Sequence, residues 1–380
     1  MAATAAGDEL RPELGHYLDH ASTSPLRPEA RAAMVEALGA PFADPSRIHE
    51  PGMAARVALE QAREQVAVSL GARPREVVFT SGASESIAAA CWGAAERGRV
   101  QVVPEIEHSA VRLAAAQHGE VVAVGCDRTG RVDADELLAV VGDDAALVHL
   151  QIANHEVGTV QPVAEVVRAC RQRGVLVHVD AAQAVGRVPF DFGALGADLV
   201  SVSGHKLGGP AGTGVLLVRR GLRIRPLIVG GEQERARRAG LENVVGAVGL
   251  AAALAAIDVD GEAEVSVRQA DRLRQVLEGV DGVEVYGHPS ERLPHLVCAG
   301  IADIEPQAVL LGLDRRRIRA HSGSACASEG LEPSPVLQAM GVDAHRSLRA
   351  SVGWCTTDAD VAAFADALPA VVAELRALRR

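Results

Sequence analysis

Aromatic side chains are scarce in this sequence. The 380 residues include 2 Trp, 2 Tyr and 5 Phe, although 48% of the residues are apolar. The core must therefore be built mainly from aliphatic side chains and alanine. A chain of this length is sufficient for two domains and for a large buried core.

The sequence also has no excess of positive charge. It carries 38 Lys and Arg against 49 Asp and Glu, a formal net charge of −11. Binding to nucleic acid or to an anionic membrane needs a basic surface, so this balance argues against both kinds of partner. The N-terminal residues contain no apolar stretch of the kind found in signal peptides. The longest apolar run, 244–257, is too short to span a bilayer and predicts a buried helix.

Cysteine pairs with metal-binding or redox spacing are absent. The six cysteines show no C-x-x-C pair and no regular spacing, which argues against a disulfide framework and against a metal site. This usage agrees with the reducing conditions of the cytoplasm, where we expect the protein to be located. The cysteines expected to be plain core or surface residues are Cys91, Cys126, Cys170, Cys298 and Cys355.

Strand-like and helix-like segments alternate between residues 15 and 258. The strand candidates are "EVVFT", "VQVVP", "EVVAV", "ALVHLQI", "VLVHVD", "DLVSVS" and "GVLLVR". Strands that alternate with helices at this spacing predict an α/β fold with a mostly parallel sheet covered on both faces. We assign 15–258 to a large domain, and 259–380 together with 1–14 to a smaller α+β domain. One long helical segment is expected over 249–280, and a closing helix over 358–380.

Polar residues stand at several predicted strand ends, where ligands bind in open parallel sheets. In "VVFTSGASES" the strand ends at Thr80, Gly82 relaxes the backbone, and a helix begins near Ser84. The free N–H groups of a helix start suit a phosphate, although Ser84 as an ordinary N-cap explains the pattern as well. Asp180 directly follows the five strand residues "VLVHV", at a position where an acid is more often a capping residue.

Lys206 follows the strand that ends at Ser203 and precedes a glycine-rich loop. A lysine held in such a place is partly desolvated and forms a Schiff base readily; the alternative is a solvated turn lysine. Pyridoxal phosphate needs a lysine, a carboxylate for its pyridine nitrogen, a phosphate cradle and a flat group over its ring. The residues that meet these needs are Lys206, Asp180, Ser84 with Gly82, and His108, which follows another strand.

An ordered set of motifs extends over nearly the whole chain. They are "YLDHASTSP", "FTSGASES", "EHSAV", "NHEVGTVQP", "HVDAAQAVG", "SGHKLGGPAGTG", "SGSACASEGLEPS" and "LRASVG". In this order they resemble the cysteine desulfurases of the class V aminotransferase group, in the long-loop branch. The resemblance implies a type I pyridoxal-phosphate fold, with a large domain around a mostly parallel seven-stranded sheet and a smaller α+β domain. It also implies a homodimer with active sites at the subunit interface.

The resemblance also implies roles for individual residues. Lys206 would bond the cofactor and move the Cα proton, Asp180 would pair with the pyridine nitrogen, and Gln183 would contact the phenolic oxygen. His108, named as catalytic, would stack on the ring. Asn154 and Arg349 would orient the substrate carboxylate, although Arg349 could instead be a surface helix arginine. The remaining cofactor contacts would come from Gly82, Ala83, Ser84, Asn154, Ser203 and His205.

Cys326 stands among small, polar neighbours in "HSGSACASEG" (321–330). By the resemblance it would take the sulfur of L-cysteine as a persulfide, release L-alanine, and pass the sulfur to an acceptor protein. Small residues suit a tether that must move between pocket and acceptor; the alternative is a chance surface thiol. Selenocysteine lyase, aminotransferase and a non-catalytic binding scaffold remain alternatives. One departure concerns Leu241, which stands where the family has a threonine that reaches the neighbouring subunit's phosphate site.

Overall fold

The computed structural model describes residues 14–40, 43–323 and 333–378. Cys326 lies outside the described residues. In chain order the strands are β1 (His16–Tyr17), β2 (Val77–Thr80), β3 (Val100–Pro104), β4 (Glu120–Val124), β5 (Ala145–His149), β6 (Val177–Asp180), β7 (Leu199–Ser203), β8 (Gly214–Val218), β9 (Val283–Tyr286), β10 (Leu296–Ile301), β11 (Ile318–Arg319) and β12 (Ser347–Ser351).

A seven-stranded sheet forms the centre of the molecule, in the order β2-β8-β7-β6-β5-β3-β4. Strand β8 is antiparallel to both of its neighbours, whereas β7, β6, β5, β3 and β4 pair in parallel. The predicted mostly parallel sheet is confirmed, and its strands are the seven apolar segments of the sequence. Strands β5, β7 and β8 are buried along their whole length, as expected when helices cover both faces.

Helices connect and cover these strands. They span Pro28–Gly39, Glu50–Ser69, Ala83–Ala94, Ser109–His118, Ala134–Ala139, Val163–Arg173, Phe192–Leu195, Gln233–Ala236, Val244–Ala255, Val259–Glu278, Pro306–Asp314, Pro335–Ala339 and Asp358–Ala377. Short 3₁₀ turns lie at Pro74–Glu76 and Gly204–Lys206. The predicted buried helix over 244–257 and the closing helix over 358–380 are both confirmed, within a few residues at their ends.

Buried apolar side chains form a large cluster around the central sheet and a second cluster in the C-terminal part. The second cluster packs around an antiparallel sheet in the order β12-β10-β9 and includes Leu273, Val297 and Phe364. Leu18, next to β1, also belongs to it, because β1 pairs with β11. A separate cluster in the C-terminal part agrees with a large domain and a smaller α+β domain. The domain boundaries themselves stay predictions.

The long helical segment expected over 249–280 is wrong in one respect. The helix Val244–Ala255 ends before the helix Val259–Glu278 begins, and the two are bent by 73° at the break. The reason is local: the Asp258 side chain accepts the Gly261 N–H at 3.2 Å and starts a new helix. Within the described part of the chain, no single helix has the length and apolar character needed to cross a membrane, and only this bent pair meets those criteria jointly.

Candidate active site

A cavity of about 540 Å³ lies where β2, β3, β5, β6 and β7 end. Because parallel strands end at one edge of the sheet, residues that are far apart in sequence meet there. Ten residues predicted for cofactor or substrate contacts line it: Gly82, Ala83, Ser84, His108, Asp180, Gln183, Ser203, His205, Lys206 and Arg349. The structure thus brings together nearly all of the predicted site.

Lys206 stands in the 3₁₀ turn that follows β7. Its Nζ donates to the carbonyl oxygens of Ala21 at 2.6 Å and Ser22 at 2.8 Å. Burial lowers the pKa of Lys206 to about 8, and the Arg349 guanidinium adds to this effect. The amine is therefore far more often neutral at physiological pH than an ordinary lysine, which is the form that attacks a carbonyl carbon. Lys206 is also the only lysine in the whole sequence.

Asp180 ends β6 at the floor of the cavity. Its Oδ1 accepts the Ala182 N–H at 2.9 Å, and burial raises the pKa of its carboxyl group. A second carboxyl, Glu107, is 1% exposed and accepts the Gln151 N–H at 2.6 Å. Burial, together with the charge of Asp180, raises the pKa of Glu107 to about 8. The Asp180 and Glu107 pair therefore favours one negative charge rather than two, and a cationic ring nitrogen beside Asp180 would favour the carboxylate there.

One end of the cavity is suited to an anion. The helix Ala83–Ala94 begins there with Gly82 as its N-cap at φ 155°, so the first N–H groups of the helix are free of intrahelical partners. A side chain at Gly214 would bring a Cβ within 2.6 Å of the Gly82 Cα, so the tight approach of β8 requires glycine. Burial and the nearby Lys206 lower the pKa of His205 to about 4, which leaves a neutral imidazole as a hydrogen-bond donor.

His108 and Gln183 lie at the sides of the cavity. His108 caps the helix Ser109–His118, since its Nδ1 accepts the Ala110 N–H at 3.0 Å. Burial, followed by nearby positive groups, lowers the pKa of His108 to about 3. A neutral, fixed ring of this kind suits a stacking role. Gln183 is held by a hydrogen bond from its Nε2 to the Ala21 carbonyl at 2.8 Å.

Arg349 lies on β12 and is 3% exposed, which rules out the surface-helix alternative. Its Nη1 donates to the His155 carbonyl at 2.7 Å. Its Nη2 donates to Ser22 Oγ at 2.7 Å and to Asp19 Oδ1 at 3.1 Å. The guanidinium is therefore held rigidly at the cavity wall, where a bidentate fork can bind a carboxylate.

Asn154 is the exception among the predicted residues that the structure describes. Its side chain is fully buried and does not line the cavity. Its Nδ2 donates to the Ile106 carbonyl at 3.1 Å, and its Oδ1 accepts the N–H groups of Glu156 and Val157, both at 2.9 Å. The amide thus satisfies backbone groups around the turn after β5, and its contact with cofactor or substrate stays a prediction.

Several functional candidates were missed by the sequence reasoning. Ser22 reaches the cavity from the N-terminal segment; it lies in the motif "YLDHASTSP", to which no site role was given. His155, the residue after Asn154, lines the cavity, and the polar run "NHE" at a strand end was the available signal. Glu107 precedes His108 in "EHSAV". The uniqueness of Lys206 could have been read from the composition alone.

Comparison with known proteins places the chain among related sequences and folds. The family model "Aminotransferase class-V" matches residues 16–364. A relative named "Cysteine desulfurase IscS", from Dictyoglomus turgidum, is 38% identical over 376 residues, which cover 95% of this chain and 95% of that protein.

Solved structures agree with the sequence relatives. The structure named "NIFS-LIKE PROTEIN" superposes with a TM-score of 0.87 at 32% identity and covers 94% of this chain and 99% of that chain. "SspA in complex with cysteine" superposes with a TM-score of 0.79 at 28% identity, with 89% and 98% of the two chains covered. The type I fold expected from the motifs is thus confirmed. With a family match over most of its length, the chain belongs to the class-V aminotransferase family.

Proposed function

We propose that this protein is a pyridoxal-phosphate-dependent cysteine desulfurase, which converts L-cysteine to L-alanine and leaves the sulfur as a persulfide on Cys326. One observation carries the proposal: the only lysine of the chain lies in one cavity with Asp180 and Arg349. Full-length relatives named as cysteine desulfurases, and the cysteine complex of a structural neighbour, support the same substrate.

The cavity fits pyridoxal 5'-phosphate. It offers a nucleophilic amine for the aldehyde, a buried carboxyl group for the ring nitrogen, and a helix N-terminus for the phosphate. When bound, the cofactor supplies an electron-accepting ring that weakens the bonds at the substrate Cα. The residues that would hold it are Lys206, Asp180, Gln183, His108, Gly82, Ala83, Ser84, Ser203 and His205.

Residues of the protein itself carry out the remaining steps. Arg349 binds the substrate carboxylate, and the Lys206 amine moves the proton at the substrate Cα. The Cys326 thiolate forms an S–S bond with the substrate sulfur while the C–S bond breaks. The carbon keeps the electron pair and takes a proton, which yields the methyl group of alanine.

Product analysis tests the activity. The cofactor-loaded protein incubated with L-cysteine should form equal amounts of alanine and protein-bound persulfide, followed by sulfide when a reducing thiol is added. A 2-oxo acid as the main product would instead indicate an aminotransferase. Selenocysteine offered in parallel should show which of the two substrates is turned over faster, and a strict requirement for selenocysteine would contradict the proposal.

Cofactor attachment should depend on pH through Lys206. Only the neutral amine attacks an aldehyde, so attachment to the cofactor-free protein should accelerate as the pH rises towards 8 and level off above it, given the lowered pKa of Lys206 of about 8. An ordinary lysine pKa of 10.5 would give a rate that keeps rising well beyond this point. The measurement is the initial rate of borohydride-trapped label at a series of pH values.

Arg349→Lys should weaken cysteine binding while leaving cofactor binding nearly unchanged. Lysine keeps the charge but loses the bidentate fork. Loss of one hydrogen bond to a charged group costs about 1.5–3 kcal/mol, which is about a ten- to hundredfold rise in KM for cysteine. Cysteine titrations and cofactor titrations of the two proteins provide the comparison. An unchanged KM would show that Arg349 only supports Asp19 and the His155 carbonyl.

We also propose that the protein is a homodimer. Apolar side chains are exposed on neighbouring elements: Ile48 is 92% exposed, Met53 43% and Val57 51%, with Val35 and Leu38 at 63% and 69%. The helices Pro28–Gly39 and Glu50–Ser69, which carry most of them, both pack against Val244–Ala255. Such a surface is typical of a subunit interface. Sedimentation at twice 39.5 kDa would support the dimer, and a monomer at working concentration would contradict it.

Leu241 lies near the large cavity. It is 50% exposed and lines a small cavity together with Ser81 and Gly212, which also line the large cavity. Its side chain offers no hydrogen-bond donor to a phosphate. Leu241→Thr, which supplies a hydroxyl, should therefore tighten cofactor binding, as measured by cofactor titration of both proteins.

The proposal extends to a protein partner and to a cellular location. A persulfide that forms in a cavity needs an acceptor that collects the sulfur, so we include a sulfur-acceptor protein among the partners. The free cysteines of the described residues, of which Cys91, Cys170 and Cys298 are buried, agree with a reducing cytoplasm. Isotope-labelled sulfur followed from the persulfide into cytosolic proteins would identify the acceptor and test the location together.

A further inference from the structure

A short stretch near the N-terminus holds the turn that carries Lys206. Ser24 donates to this turn twice, from its N–H to the His205 carbonyl at 2.9 Å and from its Oγ to the Lys206 carbonyl at 3.1 Å. Arg27 donates from its Nε to the Leu207 carbonyl at 3.0 Å. Three successive carbonyls thus accept hydrogen bonds from a distant part of the chain, so the backbone of the reactive lysine is fixed on both sides of its Cα.

Arg187 binds the same backbone. It lies in the turn that follows β6 and is 6% exposed. Its Nη2 donates to the Lys206 carbonyl at 3.1 Å and to Ser24 Oγ at 3.0 Å. The Lys206 carbonyl therefore accepts two donors, one of which is a cation. Because hydrogen bonds from a charged donor are stronger than those from a neutral one, the guanidinium is held firmly against the lysine backbone.

The charge of Arg187 is not neutralised by a neighbouring carboxylate. Glu262, an acidic group whose charge acts on Arg187, pairs instead with Arg27 at 2.6 Å. Among the described residues Arg187 makes hydrogen bonds only to Ser24 and to the Lys206 carbonyl, and no ion pair. Burial lowers the pKa of Arg187 to about 10, which leaves it charged at neutral pH. A buried cation without a carboxylate partner is costly and acts strongly on other charges nearby.

The groups that act on the Lys206 amine fall into two sets. Two carboxylates favour the ammonium form and two guanidiniums favour the neutral amine; they are Asp19, Asp180, Arg349 and Arg187. The nearby imidazoles of His108 and His205 are neutral, because burial lowers their pKa values to about 3 and about 4.

The two guanidiniums differ in their partners. Arg349 acts on the amine more strongly than Arg187 does, but it already pairs with Asp19 at 3.1 Å and is proposed to bind the substrate carboxylate. A bound carboxylate offsets its charge further. Arg187 then remains as the cation that disfavours protonation of Lys206.

We propose that Arg187 is a positioning residue, which holds a positive charge against the carbonyl of Lys206 and thereby favours the neutral, reactive form of the lysine amine. The inference rests on the proposed function, in which Lys206 is the amine that bonds the cofactor. The neutral amine is needed twice, to attack the cofactor aldehyde and to accept the proton from the substrate Cα.

The titration of Lys206 tests this role directly. Because the chain contains one lysine, protein grown with lysine labelled with carbon-13 at Cε gives one lysine signal in NMR, and its change with pH reports the Lys206 amine in the cofactor-free protein. Arg187→Met keeps a long side chain but removes the charge. Its titration midpoint should move to higher pH, so that the neutral fraction at pH 7 falls by about threefold. Arg99→Met, at an exposed arginine that pairs with Asp144, is the matched control and should keep the wild-type midpoint.

Cofactor attachment provides the second measurement. The borohydride-trapped rate at pH 7 should fall by about threefold in Arg187→Met and recover in Arg187→Lys, which keeps the charge, with mass spectrometry confirming that the label is on Lys206. An unchanged midpoint in Arg187→Met would overturn the proposal, and so would a lysine variant as slow as the methionine variant. If Arg187→Met does not fold, the uncharged Arg187→Gln, which can still donate a hydrogen bond, gives the same comparison.

Failure of the proposed function would look different. In that case the wild type itself would form no alanine from cysteine. The NMR titration uses neither cofactor nor cysteine, and it would still decide whether Arg187 controls the protonation of Lys206.

Discussion

Lys206→Ala should abolish both the visible absorbance of lysine-bound cofactor and all alanine formation. No other lysine exists in the 380 residues, so no neighbouring amine can substitute. We expect alanine formation to be lost completely, because cofactor attachment and Cα proton transfer both depend on the same nitrogen. An absorbance scan and a product assay on the purified variant, incubated with excess cofactor, measure the two losses separately.

A second variant tests whether Lys206 is needed as a nucleophile or only as a positive charge. Lys206→Arg keeps a positive group near the Ala21 and Ser22 carbonyls, but arginine does not become a neutral nucleophile in proteins. It should fold and should still fail in both assays. Alanine formation above background by either variant, with cofactor bound, would show that Lys206 is not the reactive amine.

Cys326→Ser should stop alanine and persulfide formation together while cofactor and cysteine still bind. A serine hydroxyl is not ionised near neutral pH, whereas the thiolate is the nucleophile that attacks sulfur. Without an acceptor the C–S bond has no route to break, so the loss should be close to complete. Mass spectrometry of the protein after one turnover, together with alanine quantification, measures both products.

The matched control for this prediction is Cys126→Ser. Cys126 is a partly exposed free thiol, and burial, reinforced by nearby acidic groups, raises its pKa to about 11, so it is a poor nucleophile. This variant should keep wild-type turnover. Persulfide on Cys326→Ser at the wild-type level would place the acceptor thiol elsewhere in the chain.

The predicted strands and strand-end residues were the most successful part of the sequence reasoning. Short aliphatic runs bounded by glycine and polar residues define buried parallel strands locally, and all seven runs form the central sheet. Lys206, Asp180 and Gly82 each follow such a run, so their place at one edge of the sheet follows from the direction of the strands. The order of the strands did not follow from the runs, because pairing depends on long-range packing.

The helix break at Asp258 and the buried position of Asn154 were not foreseen, because each side chain had several possible partners. Asp258 ends a continuous helical pattern by capping a new helix. The Asn154 amide bonds to the Ile106 carbonyl and to the turn after β5, whereas a sequence motif shows only that an amide is present. In both cases the competing hydrogen bonds come from backbone groups whose positions depend on the folded chain.

The sequence by itself determined the fold class, the strand ends and the identity of the reactive lysine, because each depends on local pattern or on residue type. Only the tertiary structure determined the pKa values and the hydrogen bonds of these residues. Burial beside Arg349 lowers the pKa of Lys206, a helix cap takes one nitrogen of His108, and the backbone carbonyl of His155 accepts a hydrogen bond from Arg349. Burial and hydrogen bonding are properties of neighbours brought together from distant parts of the chain, so no local stretch of sequence contains them.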